Sequence, residues 1–386
     1  MAAKTTSDEV FLRRALELAG RSVGLASPNP NVGALLVGAE GKLVGEGFHT
    51  YQGVKHAEIL ALEQAGDQAR GATLYINLEP CCHQGRTGPC TEALVRSGVA
   101  RVVASMRDPN PLVGGRGFTR LREAGIQVES GILEEEARRL NDAFAKYIRY
   151  HLPLVTLKAA MTLDGKIAPP TADAATVDRA GGPAGGWITS EKARAHVHEL
   201  RHRQDAILVG IGTVIADDPL LTDRSGLARR RPLVRVVLDS HLRLPLESRL
   251  AQTAEDDLVV FCSFAEKNRK QRLEECGIQV EQLLPASADG RPELAAVCRR
   301  LAEREITSVM IEGGATVNWT AIDSRVADKV FFYYAPRILS GTGSVPFALG
   351  RGFRNMSEAA QVKSWRIDRV GEDFLVEGYL RDPYLD

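Results

Sequence analysis

The sequence predicts an α/β protein of two domains, the first a sheet with helices on both faces, and three observations carry that reading. Strand-like and helix-like runs alternate through both halves of the chain. Its 386 residues exceed what a single hydrophobic core usually serves. No internal repeat relates the halves, so the second domain is not a copy of the first. Residues 1–150 make one complete unit and residues 151–386 the other. The junction Tyr150-His151-Leu152-Pro153 is short and has no Gly/Ser tract, which predicts packed domains.

In the first half, Ser7 can cap a helix whose apolar positions Val10, Phe11, Ala15, Leu18 and Ala19 recur at helical spacing. Residues 32–37, a Glu40-Gly41 turn and residues 42–48 read as a β-hairpin. A helix over 56–66 follows, with Ile59, Leu60 and Leu62 expected in the core. Residues 73–77, 99–105 and 126–129 read as strands, and 91–97, 117–124 and 133–150 as helices.

The second half restarts with a β run over 154–160 and a turn at Asp164-Gly165. The Pro-, Ala- and Gly-rich stretch 168–186 has no periodicity and reads as a long loop, either a lid or a tolerated insertion. Helices are expected over 190–201, 265–276 and 292–303. Strands are expected over 206–210, 233–239, 258–262, 308–312, 329–334, 365–370 and 374–380. The strand over 308–312 runs straight into Gly313-Gly314-Ala315 and a helix, a place where backbone amides can approach a pyrophosphate.

The chemistry concentrates between His56 and Cys90. His56-Ala57-Glu58 is followed, past one strand, by Leu78-Glu79-Pro80-Cys81-Cys82-His83-Gln84-Gly85-Arg86-Thr87-Gly88-Pro89-Cys90. One imidazole, two thiols and a carboxylate can hold zinc with one open position and move protons beside it. His-x-Glu followed by Pro-Cys and a second Cys is the pattern of zinc-dependent nucleobase deaminases, in which the Glu is not a ligand. A structural zinc would recruit Cys82 or His83 as a fourth ligand, and a third reading makes the cysteines ordinary core thiols; both leave Glu58 unexplained.

The eight residues between Cys81 and Cys90, with Ser27-Pro28-Asn29-Pro30-Asn31-Val32-Gly33-Ala34 upstream, resemble the bifunctional riboflavin-biosynthesis deaminase-reductase family. Four further segments resemble its reductase half: Lys158 to Lys166, Trp187-Ile188-Thr189-Ser190, Gly212 to Arg224, and Ile311-Glu312-Gly313-Gly314-Ala315-Thr316. The resemblance implies a three-layer α/β/α cytidine-deaminase-like domain followed by a dihydrofolate-reductase-like α/β domain. It implies His56, Cys81 and Cys90 as ligands of one catalytic Zn2+, Glu58 as proton shuttle, and Asn29, His49 and His83 as contacts to the base or its sugar phosphate. For the reductase it implies substrate contacts at Lys158, Arg201, Leu221, Arg224 and Glu312. NADPH would meet Ala160, Trp187, Thr213, Asp217, Ser240, Gly314, Ala315, Thr316, Val317, Asn318, Trp319 and Thr320. Three positions depart from the family pattern: Cys82 and Gly185 stand where Ser is usual, and Gly88 where Pro is commoner. A lysine in the apolar strand 154–160 is costly unless paired, and Glu312 is the candidate partner for Lys158.

The implied reactions are hydrolytic deamination of a 2,5-diamino-6-ribosylaminopyrimidinone 5′-phosphate, then NADPH-dependent reduction of the ribosyl to a ribityl chain. Charge fits small-molecule pyrimidine ribosyl phosphate substrates: 49 Lys and Arg balance 49 Asp and Glu, leaving no field to hold a nucleic acid. That argues against a cytidine or RNA deaminase with an accessory domain; a non-catalytic zinc-stabilised nucleotide-binding module is the remaining alternative. No apolar run is long enough to span a bilayer and the N-terminus lacks a signal pattern, so a cytoplasmic location away from membranes is expected. Cys262, Cys276 and Cys298 read as reduced packing residues. A homo-oligomer, dimer or tetramer, is the expected assembly.

Overall fold

The computed structural model describes residues 7–170, 186–285 and 290–385. Most of the 168–186 stretch, including Gly185, lies outside them. The chain divides into two compact units, Met1–His151 with Ala228–Arg230, and Leu152–Leu227 with Arg231–Asp386.

The first unit holds five strands: β1 (Gly33–Val37), β2 (Leu43–Phe48), β3 (Thr73–Leu78), β4 (Arg101–Met106) and β5 (Gln127–Ser130), in the order β2-β1-β3-β4-β5. β1 runs antiparallel to β2 and β3, whereas β3, β4 and β5 are parallel. Side chains alternate across the sheet and so serve two helix layers. Leu35, Val37, Tyr75 and Val103 pack on Leu12, Ala15 and Leu18 of the helix Ser7–Gly20. The opposite face of the hairpin receives the helix Ala57–Ala65.

That helix corrects one expectation. Its buried residues are Ala57, Glu58, Ala61 and Ala65, while Ile59, Leu60 and Leu62 are only half-buried. Gly45 and Gly47 of β2 explain it: a Cβ on Gly45 would lie 2.1 Å from the Ala61 carbonyl oxygen, so helix and strand meet through small residues. Val10 likewise faces solvent, and Leu12 takes the core position. The expected helix over 133–150 is two, Glu134–Leu140 and Asp142–Tyr150. Between them the buried Asn141 bonds the backbone of Asn31, accepting from its N–H at 2.7 Å and donating to its carbonyl at 3.0 Å.

The second unit carries a nine-stranded sheet and a short two-stranded one. Their strands are β6 (Leu154–Thr162), β7 (Lys166–Ala168), β8 (Ala206–Gly210), β9 (Val234–Leu238), β10 (Leu258–Cys262), β11 (Gln279–Gln282), β12 (Ser308–Ile311), β13 (Lys329–Ala335), β14 (Val345–Pro346), β15 (Lys363–Val370) and β16 (Asp373–Tyr379). The large sheet runs β11-β10-β9-β8-β12-β6-β13-β16-β15, and β7 pairs with β14. Strands β11 to β13 in that row are parallel; β16 and β15 continue it antiparallel. β12 inserts between β6 and β8, so the strand order reverses there, and such a reversal is the usual ligand position in an open α/β sheet. Cys262 and Cys298 are buried as expected, but Cys276 is exposed, at the end of a charged helix with only Leu273 buried.

Candidate active sites

Three helix and strand ends of the first unit converge. His56 is the N-cap of Ala57–Ala65, Cys81 follows β3, and Cys90 opens the helix Cys90–Ser97. The Nδ1 of His56 lies 3.2 Å from the Cys90 sulfur and 3.5 Å from the Cys81 sulfur, and all three donor atoms fall within 4.8 Å of one another. Donors spread around one tetrahedral zinc, at ~2.1 Å for nitrogen and ~2.3 Å for sulfur, sit about 3.5 Å apart, so the cluster fits that ion. Cys82 and His83 are not among the donors, so the described residues offer a three-ligand set with an open fourth position.

Electrostatics suit a thiolate site. The bond from Cys90, with help from His56 against the cost of burial, brings Cys81 down to about 4. Its bond to Cys81 pushes His56 up to about 9. Glu58, in the first helical turn and 3% exposed, is pushed up to about 7 by burial and by the Cys81 charge. A carboxyl held there both takes and gives a proton at neutral pH.

Around this centre, His49 donates from Nδ1 to the Lys55 carbonyl at 2.9 Å, so its Nε2 accepts from the Asn29 amide at 2.9 Å. Its ring meets that of His56 edge-on at 5.5 Å. His83, by contrast, sits exposed on the Cys81 to Cys90 loop. Three neighbours escaped the sequence reading. Asp108 is pushed up to about 7 by burial and by the charges of Glu79 and Cys81. Glu79, itself buried, accepts from the backbone N–H groups of Asp108, Gly115 and Phe118 at 2.8–3.1 Å, tying the Cys81 strand end to the Asp108 turn. Arg86 stacks over Tyr51 at 4.6 Å, and its charge reaches His49.

In the second unit a cleft of about 880 Å³ opens at the C-terminal ends of β6, β8 and β12. It gathers Lys158, Arg201, Leu221, Arg224 and Glu312, together with Ala160, Trp187, Thr213, Asp217, Ser240, Gly314, Ala315, Thr316, Val317, Asn318 and Thr320. Trp319 stays outside the lining; its ring tilts against Phe353 at 5.3 Å and covers Gly350. Glu312 follows directly on β12 and binds Arg201 through both oxygens, at 2.6 and 3.0 Å, while the Lys158 ammonium lies 3.5 Å away. Burial alone would raise Glu312, but Arg201 and Lys158 hold it down to about 2. Burial lowers Lys158 despite Glu312. Gly313 and Gly314, at φ +119° and +86°, turn the chain into the helix Ala315–Asp323, so its free N–H groups face the cleft. Sequence reasoning missed Thr189, Arg194, His198, Arg243 and Arg249 in the lining. Arg194 and His198 share a helical face with Arg201, a three-to-four-residue spacing already visible in the sequence.

A His-Cys-Cys cluster with a buried glutamate, on a five-stranded α/β/α unit, joined in one chain to a parallel-sheet unit with a glycine-opened cleft, defines a cytidine-deaminase-like zinc domain followed by a reductase domain. Residues 5–106 match the cytidine and deoxycytidylate deaminase zinc-binding region, and residues 153–376 match the RibD C-terminal domain. The chain belongs to the RibD family. It is 41% identical to the riboflavin biosynthesis protein RibD of Aquifex aeolicus over 96% of this chain and 97% of that one. It is 38% identical to RibD of Escherichia coli K12, covering 95% and 97%. The solved structure of Acinetobacter baumannii RibD superposes with a TM-score of 0.80 at 34% identity, covering 97% of this chain and 99% of that one. The Thermotoga maritima diaminohydroxyphosphoribosylaminopyrimidine deaminase/5-amino-6-(5-phosphoribosylamino)uracil reductase does so with 0.78 at 36%, covering 96% and 98%.

Proposed function

We propose that this chain is a bifunctional enzyme of riboflavin biosynthesis. Residues 1–150 deaminate 2,5-diamino-6-ribosylamino-4(3H)-pyrimidinone 5′-phosphate, and residues 151–386 reduce the resulting 5-amino-6-(5-phosphoribosylamino)uracil with NADPH. The observation that carries the reading is the pairing, in one chain, of a three-ligand metal cluster beside a buried glutamate with a separate cleft lined by cationic side chains and glycine-opened amides.

His56, Cys81 and Cys90 would hold a zinc ion, whose Lewis acidity would make water a nucleophile at neutral pH. Glu58 would take the attacking water's proton and give it to the ring nitrogen, then take the remaining proton of the new hydroxyl and give it to the amino group, which leaves as ammonia as the carbonyl forms; such transfers contribute about 10²- to 10⁴-fold. Asn29, His49 and His83 contact the base or its sugar phosphate. In the second unit bound NADPH would supply the hydride, and the protein's part is to place the nicotinamide against the sugar carbon. Arg224 would receive the phosphate through its planar donor fork. Arg201, whose own fork is taken up by Glu312, would orient the ribosyl chain together with Lys158, Leu221 and Glu312, and Gly314 to Asn318, Thr320, Thr213 and Asp217 would hold the cofactor. The enzyme works on these small molecules in the cytoplasm as a homo-oligomer. Support for the assembly comes from β15, an edge strand exposed along almost its whole length, with Trp365 61% and Ile367 58% exposed. Antiparallel pairing of two such edges about Ile367 sets Arg366 opposite Asp368 of the partner subunit. Sedimentation tests this: Ile367→Glu should shift the protein to monomer.

The catalytic reading is tested by supplying the diaminopyrimidine phosphate with and without NADPH and following ammonia and NADPH separately. Ammonia should appear without NADPH, and NADPH should be consumed only after deamination. Absence of ammonia release by the zinc-loaded protein would sink it.

A further inference from the structure

Most buried polar atoms near the second-unit cleft have partners. Glu312 is satisfied by Arg201 and Lys158, and the Arg201 Nη1 also donates to the Thr222 carbonyl at 2.9 Å. Two atoms in the lining do not. The Nδ1 of His198 and the Oδ1 of Asn318 are shielded from solvent and have no hydrogen-bond partner among the described residues. Leaving a buried polar atom unpaired destabilises a fold, so such atoms are uncommon and call for an explanation.

The placement of His198 supplies one. It lies on the helix Glu191–His202, one turn before Arg201, and both side chains face the cleft. The charges of Arg201 and Arg224 both reach its ring, which places it at the phosphate-and-sugar end assigned above and away from the glycine-opened end assigned to NADPH. Burial, reinforced by those two arginines, lowers its pKa and keeps the imidazole neutral, so one ring nitrogen remains an acceptor. Beside two guanidinium groups, which only donate, a neutral imidazole adds the capacity to accept from a hydroxyl.

We propose that His198 is a substrate-binding residue of the reductase cleft, whose imidazole turns on binding to bring Nδ1 to a hydroxyl of the phosphorylated ribosyl chain. The inference rests on assigning this cleft to the reductase, and it adds a specificity element: a sugar lacking that hydroxyl leaves the nitrogen unpaired and binds less well.

Replacement of His198 distinguishes a binding role from a packing role, because the two predict opposite effects on the free protein. His198→Leu removes an unpaired nitrogen and should leave the thermal midpoint of the full chain unchanged or higher. At the same time KM for 5-amino-6-(5-phosphoribosylamino)uracil should rise about tenfold, the loss expected for one buried hydrogen bond, with KM for NADPH and the deamination rate unchanged. His198→Asn, whose amide can reach the position of Nδ1, should recover most of the affinity. Parent-like KM for the uracil substrate in His198→Leu overturns the proposal, whatever its stability. So does a lower midpoint accompanied by a KM rise that His198→Asn does not reverse, which would mark a packing residue. The parent enzyme separates the two readings: if it fails to oxidise NADPH with this substrate, the assignment of the cleft is what fails. Calorimetric titration of the substrate into parent and His198→Leu then still reads the binding role directly.

Discussion

Glu312→Gln perturbs the most concentrated electrostatic feature of the second unit while leaving its shape almost intact. The carboxylate is 6% exposed and neutralises two cations, Arg201 at 2.6 Å and Lys158 at 3.5 Å. Removing one partner of a buried ionic group strands the other charges, at a cost of about 3–5 kcal/mol. Titration leads to a similar figure. Arg201 and Lys158 overcome burial to hold Glu312 at about 2, against 4.5 for the free side chain, and that difference corresponds to roughly 3 kcal/mol. Because the folded value is the lower one, this stabilisation is fully present above pH 4.5 and drains away as pH falls toward 2. The wild type should therefore lose about 1 kcal/mol more than Glu312→Gln between pH 5 and pH 3.5. All three tryptophans, Trp187, Trp319 and Trp365, lie in the second unit, so their fluorescence in a urea titration reports that unit alone. At pH 7 the variant should unfold with about 3 kcal/mol less free energy and lose NADPH oxidation, while ammonia release stays within about twofold. A change under about 1 kcal/mol, with the same pH slope as the wild type, would refute the idea that the triad depends on this charge.

Three further outcomes follow from the first unit. Cys82→Ser should keep both zinc and ammonia release, since Cys82 is not among the clustered donors; elemental analysis and an ammonia assay check it. Gly117→Ala should destabilise the unit by about 1–3 kcal/mol and loosen zinc in a chelator competition, because the new Cβ would stand 2.2 Å from the Pro80 carbonyl oxygen, next to Cys81. Stripping zinc with a chelator should abolish ammonia release and lower the melting temperature of the first unit, yet leave NADPH oxidation intact when the deaminated substrate is supplied.

The His-Cys-Cys cluster was legible because its information is local: His56, Cys81 and Cys90, with Glu58 beside them, lie within 35 residues, and His56 and Cys90 sit at helix starts. The reductase cleft was legible through motif segments, since Lys158, Arg201, Leu221, Arg224 and Glu312 come from separate stretches that only the sheet order brings together. Elsewhere the deciding contacts were distant in sequence. The break at Asn141 depends on Asn31, 110 residues away. The shallow burial of Ile59, Leu60 and Leu62 depends on Gly45 and Gly47, because periodicity gives a helix a face but not the width of the gap it must fill. The short helix Ile211–Asp217 lay inside a motif read only for its chemistry, and its seven residues are too few to show a clear period. Glu79 looked like part of a metal motif, and its three backbone partners emerge only once the Asp108 turn folds over it.

The central claim, two independent chemistries in one chain, is tested most directly by reciprocal variants assayed for zinc, ammonia and NADPH. Glu58→Ala should retain about one zinc per chain, release no ammonia, and still oxidise NADPH with the deaminated intermediate, because the proposed function has Glu58 move protons without ligating the metal. Lys158→Ala should release ammonia at the parent rate and fail to oxidise NADPH. Loss of zinc from Glu58→Ala, or loss of both activities together in well-folded Lys158→Ala, would contradict the account.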